Sequence, residues 1–285
     1  MRVTSFLVPG DGIAVASSLA PLASKALNAL LLLSLGADHA KLTQAVASFD
    51  CPVYLTETYG IIGYDEAAQR SIELMEKGRG SEYGFRGGSG GQGCLVIAYS
   101  EGARAGHTAD FPTDASSLLV LADTSKAFAK VAASAPLHYG GITKEAFVLT
   151  SDGAKEQVPF FWVASQAGSS PVGVSTFTGE AGSAAQSLLD MAPSGYAPDA
   201  VGLFPCFTRG VNQYGAENVE TDAIRAVLDS AAAPRIYGMF AHGELGPSSY
   251  SGFSSDVQSL AHEQHSMTSI LAVHTIAGSA AKDEV

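Results

Sequence analysis

A strand-helix-strand pattern occurs twice in this chain, and each copy ends on two glycines three residues apart. The first copy reads as a buried strand at 30–35, a helix that begins after Asp38, a strand at 52–56, and then Gly60 and Gly63. The second copy has the same order, with a strand at 200–204, a helix at 220–228, a strand at 234–240, and then Gly243 and Gly246. Parallel strands need a crossover of this kind. The repetition therefore predicts an internal duplication.

Apolar runs separated by Gly, Ser and Asp-Gly residues fill the middle of the chain and predict antiparallel strands. These runs are 94–99, 117–121, 147–150 and 160–163, with a hairpin turn at 151–153. Near the N-terminus, 17–28 predicts an amphipathic helix. We therefore expect an α+β fold of two pseudo-symmetric halves, with βαβ elements and mixed or antiparallel sheets packed in layers with helices. The halves are residues 1–175 and 176–285, within one compact unit.

The charge of the chain argues against two classes of partner. The formal net charge is −12 and only 15% of residues are charged, whereas nucleic-acid binding depends on Lys and Arg at phosphates. Anionic membrane surfaces are excluded on the same ground. The most apolar stretch, 29–35, is interrupted by Ser34 and is far shorter than the roughly 20 residues that span a bilayer. We expect a cytoplasmic protein, or an organellar one if a targeting segment has been removed.

Three familiar motifs match only superficially. The glycine-rich segment 84–93 lacks the Gly-Lys-Ser/Thr ending of a phosphate-binding loop, and a strand is predicted after it. Within it, 87–91 fits G-x-S-x-G, but neither the preceding strand nor the following helix of a nucleophile elbow is predicted. The two histidines of 262–265 are three residues apart, whereas a zincin helix needs four. The three cysteines also lack metal-ligand spacing, so no metal site is predicted.

Five chemically capable residues fall at predicted strand exits or in Gly-flanked turns: Glu57, Cys206, Arg209, Glu244 and His265. In open α/β sheets, ligands collect where parallel strands end. The alternative is that each side chain satisfies local backbone groups or an ion pair.

Three ordered segments of the second half resemble the C-terminal part of the FIST domain family. They are the C-x-x-R-G turn within 204–210, the G-E-L-G turn within 238–247, and the H-S-x-T strand within 265–273. The first half resembles the N-terminal FIST part more loosely, and 214–223 is closest to the eukaryotic, F-box-associated branch. Because the resemblance starts almost at Met1, no preceding F-box is expected.

The resemblance implies a sensory or interaction module that binds a small ligand, such as an amino acid, or a protein partner. We expect Cys206, Arg209, Glu244 and His265 to line one end of the sheet. Arg209 would hold a carboxylate in a bidentate fork and Glu244 would accept from an amine. Glu57 and Tyr59 would be their counterparts from the other half.

Other roles remain open at this point. FIST-like sensors can bind haem, for which His242 and His265 are the best-placed axial ligands. A scaffold subunit of a larger assembly, organellar or related to ubiquitin ligases, is a further alternative. We expect no catalysis, although Cys206 could act as a nucleophile with His265 as its base.

Overall fold

The fold is mostly β in a computed structural model. It describes residues 1–10, 14–22, 24–76, 91–112, 114–127, 137–150, 153–166, 168–228, 234–248, 251–254 and 262–277. In this part of the chain the strands form three mixed β-sheets, two of six strands and one of seven. No helix in the described ranges is long and apolar enough to span a bilayer.

The strands fall into three consecutive groups, which we call the first, second and third repeat. The first repeat contains β1 (Arg2–Pro9), β2 (Ala29–Leu35), β3 (Val53–Glu57), β4 (Gly60–Asp65), β5 (Arg70–Met75) and β6 (Gly93–Ser100). The second contains β7 (Ala103–Gly106), β8 (Ala115–Ala122), β9 (His138–Ile142), β10 (Glu145–Leu149), β11 (Lys155–Gln157) and β12 (Phe160–Gln166). The third contains β13 (Val172–Phe177), β14 (Tyr196–Pro205), β15 (Arg235–Met239), β16 (Glu244–Pro247), β17 (Ser251–Phe253), β18 (His262–His265) and β19 (Ser269–Ala277).

Each sheet repeats one strand order. The first is β1-β6-β2-β3-β10-β11, the second β7-β12-β8-β9-β16-β18, and the third β13-β19-β14-β15-β4-β5 with β17 added beside β13. In each, one parallel pair (β2/β3, β8/β9 or β14/β15) lies among antiparallel neighbours. The same order and the same strand directions in all three sheets define a pseudo-threefold repeat.

The last two strands of every sheet come from a different repeat. The β4-β5 hairpin of the first repeat pairs with β15 of the third. The β10-β11 hairpin of the second pairs with β3 of the first, and the β16-β18 hairpin of the third pairs with β9 of the second. The repeats are thus interlocked in a closed cycle.

The helices that lie wholly within the described residues are short and lie outside the sheets. They are α1 (Val15–Leu19), α2 (His39–Val46), α3 (Ala181–Asp190), α4 (Val211–Tyr214) and α5 (Val219–Leu228). The predicted N-cap of α2 is confirmed, because Asp38 accepts from the backbone N–H groups of Ala40 and Lys41. The helix predicted at 17–28 was too long. A 3-10 turn, Ala20–Leu22, follows α1, and it contains Pro21, which cannot donate a helical hydrogen bond.

The two faces of the central strands pack into different hydrophobic clusters. In β2, Leu31 and Leu33 point into a central cluster that also contains Phe161 and Phe204 from the other two sheets. Leu30 and Leu32 face outward and pack under α1 and α2. Helices α3 and α5 cover the outer face of the third sheet in the same way. A strand buried on both faces needs an unbroken apolar sequence, as β2 has.

The predicted fold class was wrong. Strands make up 49% of the described residues and helices 19%, and the strands form three interlocked sheets instead of an α+β arrangement of sheets layered with helices. The predicted strands at 94–99, 117–121, 147–150 and 160–163 are present. The first of them is β6, the last strand of the first repeat, whereas the other three belong to a middle repeat with its own parallel pair, β8 and β9. The division between 1–175 and 176–285 stays a prediction. The glycine-rich positions 84–90 and the turn positions 151 and 152 lie outside the described residues.

Three tyrosines mark the repeat in the sequence. Tyr54, Tyr139 and Tyr237 occupy equivalent registers in β3, β9 and β15, and all three are buried. In the second and third repeats a glycine follows, Gly140 (φ +141°) or Gly238 (φ +156°). A Cβ there would overlap the backbone of the parallel strand, so only glycine permits this approach.

Candidate functional site

The turns that follow β3, β9 and β15 lie together at one end of the molecule. In each turn a backbone N–H donates to the carbonyl at the end of the parallel strand: Thr58 to Ser34 (2.9 Å), Thr143 to Ala122 (2.8 Å) and Ala241 to Pro205 (2.9 Å). The next residues, Tyr59, Lys144 and His242, are therefore equivalent positions of the three repeats.

These three equivalent side chains converge. Lys144 Nζ lies 5.2 Å from the centroid of the Tyr59 ring, and the Tyr59 and His242 ring centroids are 5.6 Å apart. Phe207 joins the same group, with ring centroids 5.8 Å from Tyr59 and 5.2 Å from His242. One site thus receives a residue from every repeat.

A charged cavity of about 270 Å³ opens beside Lys144. We call it the Glu57 cleft, and among the residues that line it are Leu35, Gly36, Glu57, Glu76, Gln92 and Lys144. Lys144 Nζ is 3.0 Å from Glu76 Oε2, with the two side chains 19% and 36% exposed. The cleft lies between repeats, because Glu57 ends β3 and Lys144 immediately precedes β10, which pairs with β3.

Glu57 is held in its ionised form. Its Oε1 accepts from the Gly36 N–H at 2.8 Å and its Oε2 is 3.1 Å from His39 Nε2. Burial alone would raise the pKa of Glu57, but hydrogen bonds from His39, Ser34 and Gly36, together with the charge of Lys144, lower it below its ordinary value. A fixed carboxylate therefore faces the cavity.

His39 links Glu57 to a second cation. His39 Nδ1 is 3.1 Å from Lys155 Nζ, and Lys155 also lies 4.0 Å from the centroid of the Phe147 ring. Because an ammonium only donates, Nδ1 accepts from Lys155 and Nε2–H donates to Glu57. His39, the first residue of α2, thus lies between Glu57 and Lys155 and contacts each through one ring nitrogen.

The equivalent position in the third repeat is filled. Phe207 follows the end of β14 as Gly36 follows the end of β2, and its ring packs on Tyr59. Gly36 has φ +66° and no side chain, so the space that Phe207 fills in one repeat stays open in the other. The cavity is therefore a feature of the first repeat's sequence.

Arg209 lies inside the protein and not in the cleft. It is 1% exposed, and Nε donates to Glu220 Oε1 at 2.7 Å. The Nη groups donate to Glu220, Tyr214 and the carbonyl oxygens of Thr178, Gly179 and Met267. These hydrogen bonds use the guanidinium N–H groups that we expected to bind a ligand carboxylate. They also connect α5 to the ends of the strands.

Cys206 and Glu244 are neighbours, and both are buried. Glu244 Oε2 accepts from the Thr268 hydroxyl at 2.7 Å and from the Thr268 N–H at 3.3 Å. Burial raises the pKa of Glu244 to about 7, against the opposing effect of hydrogen bonds from Thr268 and the Cys206 thiol. Burial, with the nearby Glu244, also raises the pKa of Cys206. A thiol held protonated is a poor nucleophile.

The histidines named for haem lie on different elements. His265 is on β18, with Nε2 3.3 Å from the Gly246 carbonyl oxygen, whereas His242 is exposed and packs on Phe207 and Tyr59. Haem binding stays a prediction. The 262–265 segment forms a strand, β18, and not a zincin helix. No cluster of three or more potential metal ligands occurs within the described ranges.

Sequence reasoning singled out Glu57 and Tyr59 as candidate site residues but missed Lys144, His39 and Glu76. Lys144 stands where the other repeats have Tyr59 and His242. Recognition of the middle repeat from its Tyr139-Gly140 pair, matching Tyr237-Gly238, would have identified it.

Comparison of the chain with protein-family models gave no match, and comparison with curated proteins gave none either. The resemblance to FIST domains therefore stays an expectation drawn from the sequence.

Proposed function

We propose that this protein is a non-catalytic ligand-sensing module and that its ligand is a small organic amine bound in the Glu57 cleft. The observation that carries the proposal is the ionised Glu57 carboxylate in a cavity bordered by a second carboxylate, Glu76. A primary ammonium supplies three donors, and charge-assisted hydrogen bonds to a carboxylate are the stronger kind.

The charge balance of the cleft favours a cation. Among the described residues that line it, Glu57 and Glu76 contribute two negative charges and Lys144 one positive charge, which leaves an excess of one negative charge. Lys155 lies beyond the His39 ring, which separates its charge from the cavity. An amino acid fits through its ammonium group, while its carboxylate would face Lys144 or solvent.

Isothermal titration calorimetry with n-butylamine, an amino acid amide and a free amino acid tests the proposal. Glu57→Gln keeps the shape of the side chain but removes its charge, and we expect it to weaken amine binding about tenfold. Glu156→Gln, on the exposed strand β11, is the matched control and should bind as the unaltered protein does. Absence of heat with all three compounds, or equal affinity for Glu57→Gln, would contradict the proposal.

A protein partner is a second proposal, favoured by Met267. This side chain is 67% exposed and its backbone has φ +61°, so an apolar group is held outward beside Thr268 at a cost in strain. A photo-crosslinking amino acid at 267, compared with one at the exposed Met191, tests this. A protein captured at 267 and not at 191 supports it, whereas identical products at both positions oppose it.

A further inference from the structure

Lys144 places its own side-chain ammonium group in the Glu57 cleft. Its Nζ lies 3.0 Å from Glu76 Oε2 and 5.2 Å above the Tyr59 ring, and its charge helps to lower the pKa of Glu57. A carboxylate on one side and an aromatic face on the other form a typical ammonium site. The side chain of Lys144 thus occupies a position suited to an ammonium group.

The position of Lys144 is set by the backbone and not by chance contact. Its backbone N–H donates to the Glu57 carbonyl at 3.0 Å, and the equivalent turns carry Tyr59 and His242. Only the second repeat thus places a lysine there. Among the described residues of the lining, negative charges exceed positive ones by one with Lys144 present and by two without it.

We propose that Lys144 determines the ligand charge that the cleft accepts: it fills one of two cation positions, so the protein binds a monoamine and rejects a diamine. This inference rests on the proposed amine-sensing function and adds its charge selectivity. A diamine would bring a second ammonium into contact with that of Lys144, and such like-charge juxtaposition is a known source of specificity.

Neutralising Lys144 is the direct test. Lys144→Met keeps the length of the side chain and removes its charge, so the emptied position between Glu76 and Tyr59 can take a second ligand ammonium. In calorimetry at low salt, the ratio of 1,4-diaminobutane affinity to n-butylamine affinity should rise about tenfold relative to the unaltered protein. Lys144→Arg retains the charge and should keep the monoamine preference. Lys126→Met, at an exposed position outside the cleft, should change neither affinity.

A reciprocal variant covers the case in which Lys144→Met fails to fold. Glu76→Gln brings the lining to a net charge of zero while Lys144 remains, and it should weaken n-butylamine binding about tenfold. An unchanged affinity ratio in Lys144→Met, or undiminished n-butylamine binding in Glu76→Gln, would overturn the role of Lys144. If no amine binds the unaltered protein or Lys144→Met, the amine-sensing function itself fails, which is a different result.

Discussion

Phe207 occupies in the third repeat the place that Gly36 holds in the first, and only Phe207 carries a side chain there. Its ring closes the site against Tyr59 at 5.8 Å, whereas Gly36 borders an open cavity. The absence of a side chain at Gly36 therefore leaves the cavity of the first repeat open. The left-handed conformation of this glycine can be tested by substitution.

Gly36→Ala should destabilise the protein without closing the cavity. Gly36 has φ +66°, where a Cβ costs about 1 kcal/mol, while the nearest atom to that Cβ, Gln92 Cγ, would be 3.4 Å away. Urea unfolding should show the loss. Gly179→Ala is the control, because a Cβ at Gly179 meets nothing within 4 Å and its φ is not in the left-handed region. Equal stability of the two variants would contradict the expectation.

Arg209→Met should be the most damaging substitution among the sequence-predicted site residues. It leaves the Glu220 carboxylate, 2% exposed, without its cation, and the free energy of unfolding should fall by about 3–5 kcal/mol. Arg104→Met breaks an exposed ion pair with Asp114 (3.4 Å, side chains 52% and 56% exposed) and should cost less than about 1 kcal/mol. Chemical denaturation compares them. A small effect at Arg209 would mean that Glu220 is satisfied without it.

Glu73 should make stability fall as the pH rises. Its carboxylate accepts from the Asn218 N–H at 3.0 Å, and burial, with the charge of Glu220 adding to it, raises the pKa of Glu73 to about 7. A raised folded-state pKa gives stability that is fully present below the unfolded value of about 4.3 and lost as the pH passes 7.

Glu73→Gln is neutral throughout and tests this dependence. Between pH 5 and 8, the unaltered protein should lose on the order of 2–3 kcal/mol relative to Glu73→Gln, as measured by urea unfolding at each pH. Glu156→Gln, on the exposed β11, should follow the unaltered protein. Parallel pH profiles for the unaltered protein and Glu73→Gln would exclude titration of Glu73 in this range.

Thr268→Val should raise the pKa of Glu244 further. The variant removes the hydroxyl that donates to Oε2 at 2.7 Å, and that donor favours the charged carboxylate. A ¹³C NMR titration of glutamate carboxyl carbons measures the change. Thr176→Val removes a hydroxyl that donates to the Pro247 carbonyl and should leave Glu244 unchanged. A lower pKa in Thr268→Val would refute the assignment of the donor.

Local pattern identified the strands that carry the site but not how many times the motif recurs. Two copies were visible because Gly60 and Gly243 occupy the same position after their parallel strands. The middle copy has Glu145 there, so the glycine signal is missing, and its strands read as an antiparallel region. Hairpin exchange between repeats leaves no local signal, since it depends on contacts between residues far apart in sequence.

The candidate site shows the same limit. Position at a strand exit singled out Glu57, Tyr59, Cys206 and Glu244. In the structure Glu57 lines the cleft, Tyr59 lies beside Lys144, and Cys206 and Glu244 are neighbours. The roles of these residues differ because some are buried and others face a cavity, and the sequence pattern does not reveal which. Arg209 is enclosed by Glu220 and Tyr214, whereas Glu57 faces a cavity because Gly36 has no side chain.

The cyclic hairpin exchange bears on how this chain can be divided. The last two strands of each sheet come from a different repeat. Deleting any one repeat would therefore remove a neighbouring strand from β3, β9 or β15 and leave backbone groups of that strand unpaired. Truncated fragments should associate or aggregate instead of behaving as autonomous units. The intact chain should unfold in a single cooperative step, because each repeat depends on the other two for its strand pairing.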